Sequence, residues 1–156
     1  MLLGYSQTST TIILLRHAEK DTTVAGASQM QADPPLSEAG KARAEKLVKA
    51  LAEFKVDHIF STDFTRTKST VTPLSQKTGK PIELYNHKAL EAFADSIRNL
   101  RNQTIVIVGH SNTTPKLANL LLKKENFQPL SEAEYNKIFV VTIYFPGRPD
   151  AEVIEY

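Results

Sequence analysis

The chain has 156 residues, of which 41% are apolar and 23% charged, a composition typical of one soluble globular domain. Its 19 basic and 17 acidic residues leave a net charge of +2, which gives no basis for a nucleic-acid or membrane surface. Cysteine is absent, and this excludes disulfides, thiolate metal sites and a cysteine nucleophile. No apolar run approaches the roughly 20 residues that span a bilayer.

The N-terminal stretch MLLGYSQTSTT carries no clear structural pattern. We expect residues 1–10 to be a flexible segment and residues 11–156 to form a single domain. The stretch is too short for a complete signal peptide, so it is either a plain start or the remnant of a trimmed leader. A cytoplasmic and an exported location therefore both stay open.

Apolar runs along the chain predict the strands of a sheet. They lie at residues 12–15, 58–60, 82–84, 104–108 and 138–145. The composition of the segment PGRPD after the last run is typical of a turn. Residues 151–155 are therefore expected to return as an antiparallel strand.

Helical patterns fill the intervals between the strands. Apolar residues recur at helical spacing in residues 44–51, 90–100 and 117–121. Thr62 or Asp63 is expected to cap a helix that runs through Leu74, and Ser131 with Glu134 has the spacing of a capping box. Strands that alternate with helices predict a largely parallel central sheet with helices on both faces.

The ends of two strands carry residues that are costly to bury. Arg16 and His17 follow the first strand, and His110 follows the run at 104–108. Ligands of such sheets bind beyond the carboxyl ends of the strands, where Gly109 is expected to permit a tight turn. Residues 111–113 can cap the next helix, whose N-terminus would offer N–H groups to an anion.

Arg66 is expected about one turn into the helix after the second strand, where its guanidinium could hold a phosphate bidentately. Each feature also has a plainer interpretation: a strand-end histidine is often a loop residue, and Arg66 could pair with Asp63 on the helix surface. The combination favours a phosphoryl site. His58 and His87 lack comparable context, and we expect both to be structural or exposed.

Four segments resemble the histidine phosphatase superfamily, which includes the phosphoglycerate mutases: LRHAEK, DPPLSEAGKARAEKL, IFSTDFTRTKSTVTPL and IVIVGHSNT, in the family's order over roughly residues 11–122. The resemblance implies a three-layer α/β/α sandwich. It implies that His17 is the nucleophile, that Arg16 and Arg66 bind phosphate, and that His110 is the second histidine of the pocket. Ala18 stands where a glycine commonly follows the nucleophile.

The general acid of the family has no clear counterpart here. Many relatives carry it after the third strand, on an inserted segment that also covers the site, whereas this chain runs almost directly into a helix. The short chain is similar in this to the small phosphohistidine phosphatases and unlike the mutases. The candidates left open are Glu19, Asp21, Asp33, Glu91 and Asp95.

The resulting hypothesis is a phosphatase that needs no metal or cofactor and acts through a phosphohistidine. Its substrate would be a phosphate monoester or phosphoramidate, on a small molecule or a phosphoprotein, with inorganic phosphate as product and no efficient mutase activity. His17 must be neutral to attack, so one of its ring nitrogens must keep its lone pair free. The other ring nitrogen is expected to donate to a backbone carbonyl.

Two alternatives come from other classes of protein. One is a phosphate-binding module that has lost catalysis, which the unassigned acid favours. The other is a serine hydrolase, because GHSNT approaches the Gly-x-Ser-x-Gly elbow with Ser111 as nucleophile. Thr113 stands in place of the second glycine, and no histidine follows Ser111 in the chain, although the usual order places the triad histidine last.

Overall fold

A computed structural model describes residues 4, 6–24, 26 and 32–156 of the chain. The strands are β1 Thr8–Arg16, β2 His58–Ser61, β3 Ile82–Leu84, β4 Thr104–Gly109, β5 Lys137–Phe145 and β6 Asp150–Glu155. The helices are α1 Glu38–Ala50, α2 Thr65–Thr78, α3 Leu90–Arg98 and α4 Thr113–Leu122. Every predicted strand and helix with an apolar pattern is therefore present.

The strands form one sheet in the order β3-β2-β4-β1-β5-β6. The first four strands in this order are parallel to one another, β5 is antiparallel to β1, and β6 is antiparallel to β5. This confirms the mostly parallel sheet and the antiparallel return. β1 begins at Thr8, so residues 8–10 belong to the sheet and not to the segment 1–10 that was expected to precede the domain.

Two hydrophobic layers cover the sheet, one on each face. Ile12 and Leu14 pack under α3 and α4, and Ile13 and Leu15 pack under α1 and α2. All four side chains are 0% exposed. A strand buried on both faces reads as a continuous apolar run, which is why the pattern in this stretch does not alternate with polar residues. The three layers confirm the α/β/α sandwich.

The register of the parallel strands brings their carboxyl ends together. Arg16 pairs with Gly109 across β1 and β4, and Ser61 pairs with Val108 across β2 and β4. The residues that follow these strands therefore meet at one edge of the sheet. Ligands of parallel sheets bind at this edge, which is where the sequence analysis expected the site.

The start of α1 fixes the loop that follows β1. Ser37 caps the helix by accepting from the amide of Gly40 at 3.1 Å, and its own amide donates to the Glu19 carbonyl at 2.9 Å. A Cβ at Gly40 would lie 2.1 Å from that carbonyl oxygen. Glycine is required here because the helix approaches the backbone of the loop so closely.

The cap predicted for α2 was wrong. The N-cap position is Phe64, which makes no side-chain cap bond. The carboxylate of Asp33 accepts instead from the Thr65 amide at 2.6 Å and the Thr65 hydroxyl at 2.8 Å. Thr62 turns into the interior, and Asp63 pairs with Lys68 at 2.6 Å. A residue distant in sequence thus supplies the cap.

The capping-box spacing at Ser131 and Glu134 does not start a helix. The Ser131 amide does donate to the Glu134 carboxylate at 2.7 Å, as in a capping box, but the segment is a turn. Within the ranges that the structure describes, no helix is long and apolar enough to cross a membrane.

Candidate active site

Four predicted residues converge at the carboxyl edge of the sheet. Arg16 ends β1 and His17 follows it, Arg66 lies in the first turn of α2, and His110 follows β4. Their exposed fractions are only 2–4%. The rings of His17 and His110 lie edge to face with centroids 5.7 Å apart. Such burial of two arginines and two histidines around one point is typical of a functional site.

His17 is held as a neutral imidazole with one defined free nitrogen. Its Nδ1 lies 2.7 Å from the carbonyl oxygen of Ala18, and because a carbonyl only accepts, Nδ1 carries the hydrogen. The lone pair is therefore on Nε2. Burial, with the nearby charges of Arg16 and Arg66, lowers the pKa of His17 to about 3 against the opposing effect of the Ala18 hydrogen bond. The expected carbonyl partner is thus present.

α2 also holds the loop that carries His17. The amide of Ala18 donates to the Thr70 hydroxyl at 2.9 Å, and that hydroxyl donates to the Arg66 carbonyl at 2.7 Å. The His17 amide donates to the Gly109 carbonyl at 2.9 Å. One helix therefore positions both the candidate nucleophile and a candidate phosphate ligand.

His110 is oriented by two buried hydroxyl groups. Thr67 donates to backbone carbonyls, so its oxygen accepts from Thr62 at 3.0 Å. Thr62 then accepts from Nε2 of His110, also at 3.0 Å, which leaves Nδ1 as the unprotonated nitrogen of the neutral ring. Nδ1 is buried without a partner in the described part of the chain. Burial and the neighbouring His17 and Arg66 lower the pKa of His110 to about 3.

Arg16 is held by a turn that the sequence did not predict as part of the site. Its Nη1 donates to the carbonyls of Ser131, Glu132 and Glu134 at 3.0–3.2 Å. The guanidinium lies 4.0 Å over the ring of Tyr135, whose centroid is 6.2 Å from that of His17. The capping-box spacing of Ser131 and Glu134 does not indicate this role, because the turn of residues 131–135 binds Arg16 mainly through backbone carbonyl groups. We call this segment the arginine-binding turn.

Arg66 does not pair with Asp63 on the helix surface. Its guanidinium lies 4.6 Å over the ring of Phe64, and Nη1 donates to the Ala32 carbonyl at 2.9 Å. The nearest carboxylate is that of Asp33, at 4.0 Å. The side chain is therefore turned into the site, as the phosphate-binding hypothesis requires.

Two of the five candidate acids have strong partners. Arg43 donates to both carboxylate oxygens of Glu19 at 2.8–2.9 Å. Although burial opposes it, this bonding holds the pKa of Glu19 below its ordinary value. Asp33 caps α2 through Thr65 and lies beside Arg66, so it is the candidate nearest the cluster.

The other three candidates lie on the surface. Asp21 accepts from the amide and hydroxyl of Thr23, and Glu91 lies 3.7 Å from Lys116. Asp95 is exposed on α3, where it lines a different groove. None of these carboxylates is therefore placed to serve as an acid at His17.

His87 lies at the site, although the sequence predicted a structural or exposed residue. Its ring centroid is 5.6 Å from that of His110 and 5.6 Å from that of Phe64, and it is partly buried. The strand-end rule could have found it, because His87 lies just beyond β3. His58, by contrast, lies on β2, with Nδ1 2.9 Å from the Glu83 carboxylate.

Gly109 is needed for space and not for a turn. It is the last residue of β4 and is not among the glycines with positive φ. A Cβ would lie 2.7 Å from the hydroxyl of Tyr85 and 3.1 Å from those of Thr113 and Thr114. The predicted reason for this glycine was therefore wrong, and the close approach of β4 to its neighbours is the actual one.

Ser111 lacks the geometry of a hydrolase nucleophile. It lies in a turn between β4 and α4, as in the elbow motif, but it is not among the described residues with positive φ. The ring of His110 contacts Thr62 through Nε2. The strained backbone that defines the elbow is thus absent at this position.

A groove of about 490 Å³ lies next to His87 and the start of α4, and none of the four buried residues lines it. His87 and Lys88 line one side, and Asn112, Thr113 and Lys116 line another. Among the described residues, no three histidine, aspartate or glutamate side chains cluster so that they could hold a metal ion.

The chain belongs to the histidine phosphatase superfamily (branch 1), whose family model matches residues 12–90. Phosphoserine phosphatase 1 from Hydrogenobacter thermophilus is 37% identical over 65 residues. That match covers 42% of this chain and only 31% of the relative.

Solved structures share the fold. Phosphoserine phosphatase from Entamoeba histolytica, in complex with 3-phosphoglyceric acid, has a TM-score of 0.68 at 19% identity, covering 94% of this chain and 97% of that one. A mycobacterial glucosyl-3-phosphoglycerate phosphatase in complex with VO3 has a TM-score of 0.70 at 17% identity, covering 93% and 98%. The SixA protein of Agrobacterium tumefaciens has a TM-score of 0.64 at 21% identity, covering 94% and 98%.

Proposed function

We propose that the chain is a metal-independent phosphatase that transfers a phosphoryl group to His17 and then to water. The observation that carries the proposal is the state of His17: a neutral ring, with its lone pair on Nε2, beside two buried guanidinium groups. A neutral imidazole is a good nucleophile. Guanidinium groups in a water-poor site bind phosphoryl oxygens strongly.

The reaction would proceed in two displacements. Nε2 of His17 attacks phosphorus, and the bond to the leaving group breaks with its electron pair on the leaving atom. Water then attacks the phosphohistidine and releases inorganic phosphate. Arg16 and Arg66 would stabilise the charge on the phosphoryl oxygens, which is the main contribution a protein makes to phosphoryl transfer. His110 would join them when the bound dianion favours protonation of its Nδ1.

The substrate would be a phosphate monoester or phosphoramidate, on a small molecule or a phosphoprotein. Membership of the superfamily supports this class, as do the names of the relatives, which include phosphoserine and glucosyl-3-phosphoglycerate phosphatases. Since four of the five candidate acids are engaged by other groups and Asp95 lies on the surface, we expect aryl phosphates and phosphoramidates to be preferred over alkyl phosphates near neutral pH. We expect no efficient mutase activity.

Release of phosphate from p-nitrophenyl phosphate in EDTA tests the proposal. Activity should survive the chelator, fall with vanadate and disappear in His17→Ala, together with any acid-labile phosphoprotein. His58→Ala is the matched control, since that histidine lies outside the cluster. A requirement for added magnesium or zinc, or normal turnover by His17→Ala, would refute the mechanism.

A phosphate-binding module without catalysis is the second candidate. The observation that favours it is that four of the five candidate acids, Glu19, Asp21, Asp33 and Glu91, are hydrogen-bonded or ion-paired to other residues. Calorimetry would then show phosphate binding that depends on Arg66, with no turnover of any phosphate ester.

A further inference from the structure

A third histidine extends the cluster toward the groove. The ring of His87 is 5.6 Å from the ring of His110 and 5.6 Å from that of Phe64. The ring centroid of Phe64 is also 5.0 Å from that of His110, and the guanidinium of Arg66 stacks over the Phe64 ring. His87 is therefore part of the same packed group, although it comes from the loop after β3.

The loop places His87 between the cluster and the groove. Asn86 accepts from the Lys88 amide at 2.9 Å, and the Ala89 amide donates to the Asn86 carbonyl, so the backbone on both sides of His87 is hydrogen-bonded. His87 also lines the groove of about 490 Å³. His87 is thus the residue that both contacts the packed group and lines the groove, so a substrate that extends from the cluster into the groove would pass this ring.

We propose that His87 is the catalytic acid and base of the reaction, protonating the leaving atom of a substrate that extends from the cluster into the groove and later deprotonating the attacking water. The inference rests on the proposed function. It follows from position: His87 is the titratable side chain in contact with His110 on the groove side, and four of the five carboxylates in question have other partners.

The proton balance closes over the two steps. In the first, the bond between Nε2 of His17 and phosphorus forms, the bond to the leaving oxygen breaks, and that oxygen takes a proton from the His87 imidazolium. In the second, water attacks phosphorus and passes a proton to neutral His87, while the electron pair of the breaking N–P bond returns to His17. The imidazolium is regenerated, and the net reaction is ester plus water to alcohol plus phosphate.

The surroundings of His87 decide when it is protonated. Partial burial and the charges of Lys88 and Arg66 lower its pKa, and the ring of His110 faces it from the other side. A bound phosphate dianion opposes these charges and favours the imidazolium. Acid assistance should therefore increase as pH falls through the weakly acidic range.

The test compares His87→Gln with the unchanged chain across phosphate esters of rising leaving-group pKa. General acid catalysis is worth about 10²–10⁴-fold for poor leaving groups. We expect a kcat loss of that size for an alkyl phosphate and less than about tenfold for p-nitrophenyl phosphate, whose leaving group needs little protonation. The variant should also lose the rise of alkyl phosphate hydrolysis at lower pH.

Two further variants sharpen the result. His58→Gln, at a histidine outside the cluster, should leave the whole series unchanged, and Asp33→Asn tests the carboxylate beside Arg66. An equal loss across all esters in His87→Gln, or a leaving-group-dependent loss in Asp33→Asn, would overturn the assignment of His87. Failure of the unchanged chain to hydrolyse even p-nitrophenyl phosphate would instead refute the proposed function.

Discussion

Acidification should unfold this protein through its two buried histidines. Folding lowers the pKa of both His17 and His110 from 6.5 to about 3, chiefly by burial. Between these values the unfolded chain binds two protons that the folded chain does not. Stability therefore falls as pH drops below 6.5, and the loss levels off near pH 3.

The size of the loss follows from linkage. Each histidine contributes about 1.4 kcal/mol per pH unit inside this window, so the pair gives roughly 3 kcal/mol per unit. From about pH 7.5 to about pH 5 the free energy of unfolding should fall by roughly 4 kcal/mol. That is a large share of the about 5–15 kcal/mol typical of a domain. His87, whose pKa is also lowered, acts in the same direction.

Equilibrium urea unfolding followed by circular dichroism measures the effect. Buffers must lack phosphate, because an anion bound at the site would raise both pKa values. A range of about pH 5 to 7.5 avoids the carboxylates Glu19, Asp21 and Glu134, whose pKa values lie below their ordinary range. His17→Asn and His110→Asn should each remove about half of the slope, and the double variant most of it. A slope under about 1 kcal/mol per pH unit in the unchanged chain would refute the reasoning.

Three other substitutions test the geometry. Arg66→Ala should weaken phosphate binding about tenfold or more, since a charge-assisted bond is worth roughly 1.5–3 kcal/mol, and Arg66→Lys should recover only part in steady-state kinetics. Gly109→Ala should cost about 1–3 kcal/mol in urea unfolding by overpacking, partly recovered with Tyr85→Phe, because the added methyl meets the Tyr85 hydroxyl. Asp33→Ala should cost about 0.5–2 kcal/mol as a lost helix cap, and Asp33→Asn less. Full activity in Arg66→Ala would place that residue outside the site.

Most of the fold was predictable because the central strands β1 and β4 are apolar runs buried on both faces. α1, α3 and α4 each present an apolar stripe, so their existence could be predicted from periodicity. α2 was predicted from its expected cap, and its buried face includes Arg66, Thr67 and Thr70. The site followed from one rule, that functional side chains lie beyond the carboxyl ends of parallel strands. Arg16, His17 and His110 obey it directly. Arg66 could be assigned to the site because it lies in the first turn of the helix that follows β2.

The interactions that escaped prediction join residues far apart in the sequence. Asp33 caps α2 across 32 positions, and the turn that binds Arg16 lies 115–119 positions away. No local pattern reports such contacts. His87 was missed for another reason: it obeys the strand-end rule, but β3 has only three residues and no motif follows it.

Two arginines in the first third of the chain, Arg43 and Arg16, are held by different kinds of partner. Arg43 is bound on two sides by the Glu19 carboxylate, so its charge is neutralised and it can only hold the loop after β1 in place. Arg16 donates to backbone carbonyls and stacks on Tyr135, while the nearest carboxylate, Glu132, is 3.6 Å away on a side chain that is 85% exposed. Carbonyl dipoles orient a guanidinium without cancelling its charge, and an exposed ion pair adds little. The guanidinium of Arg16 is therefore oriented without its charge being cancelled, as the phosphate-binding role proposed for it requires.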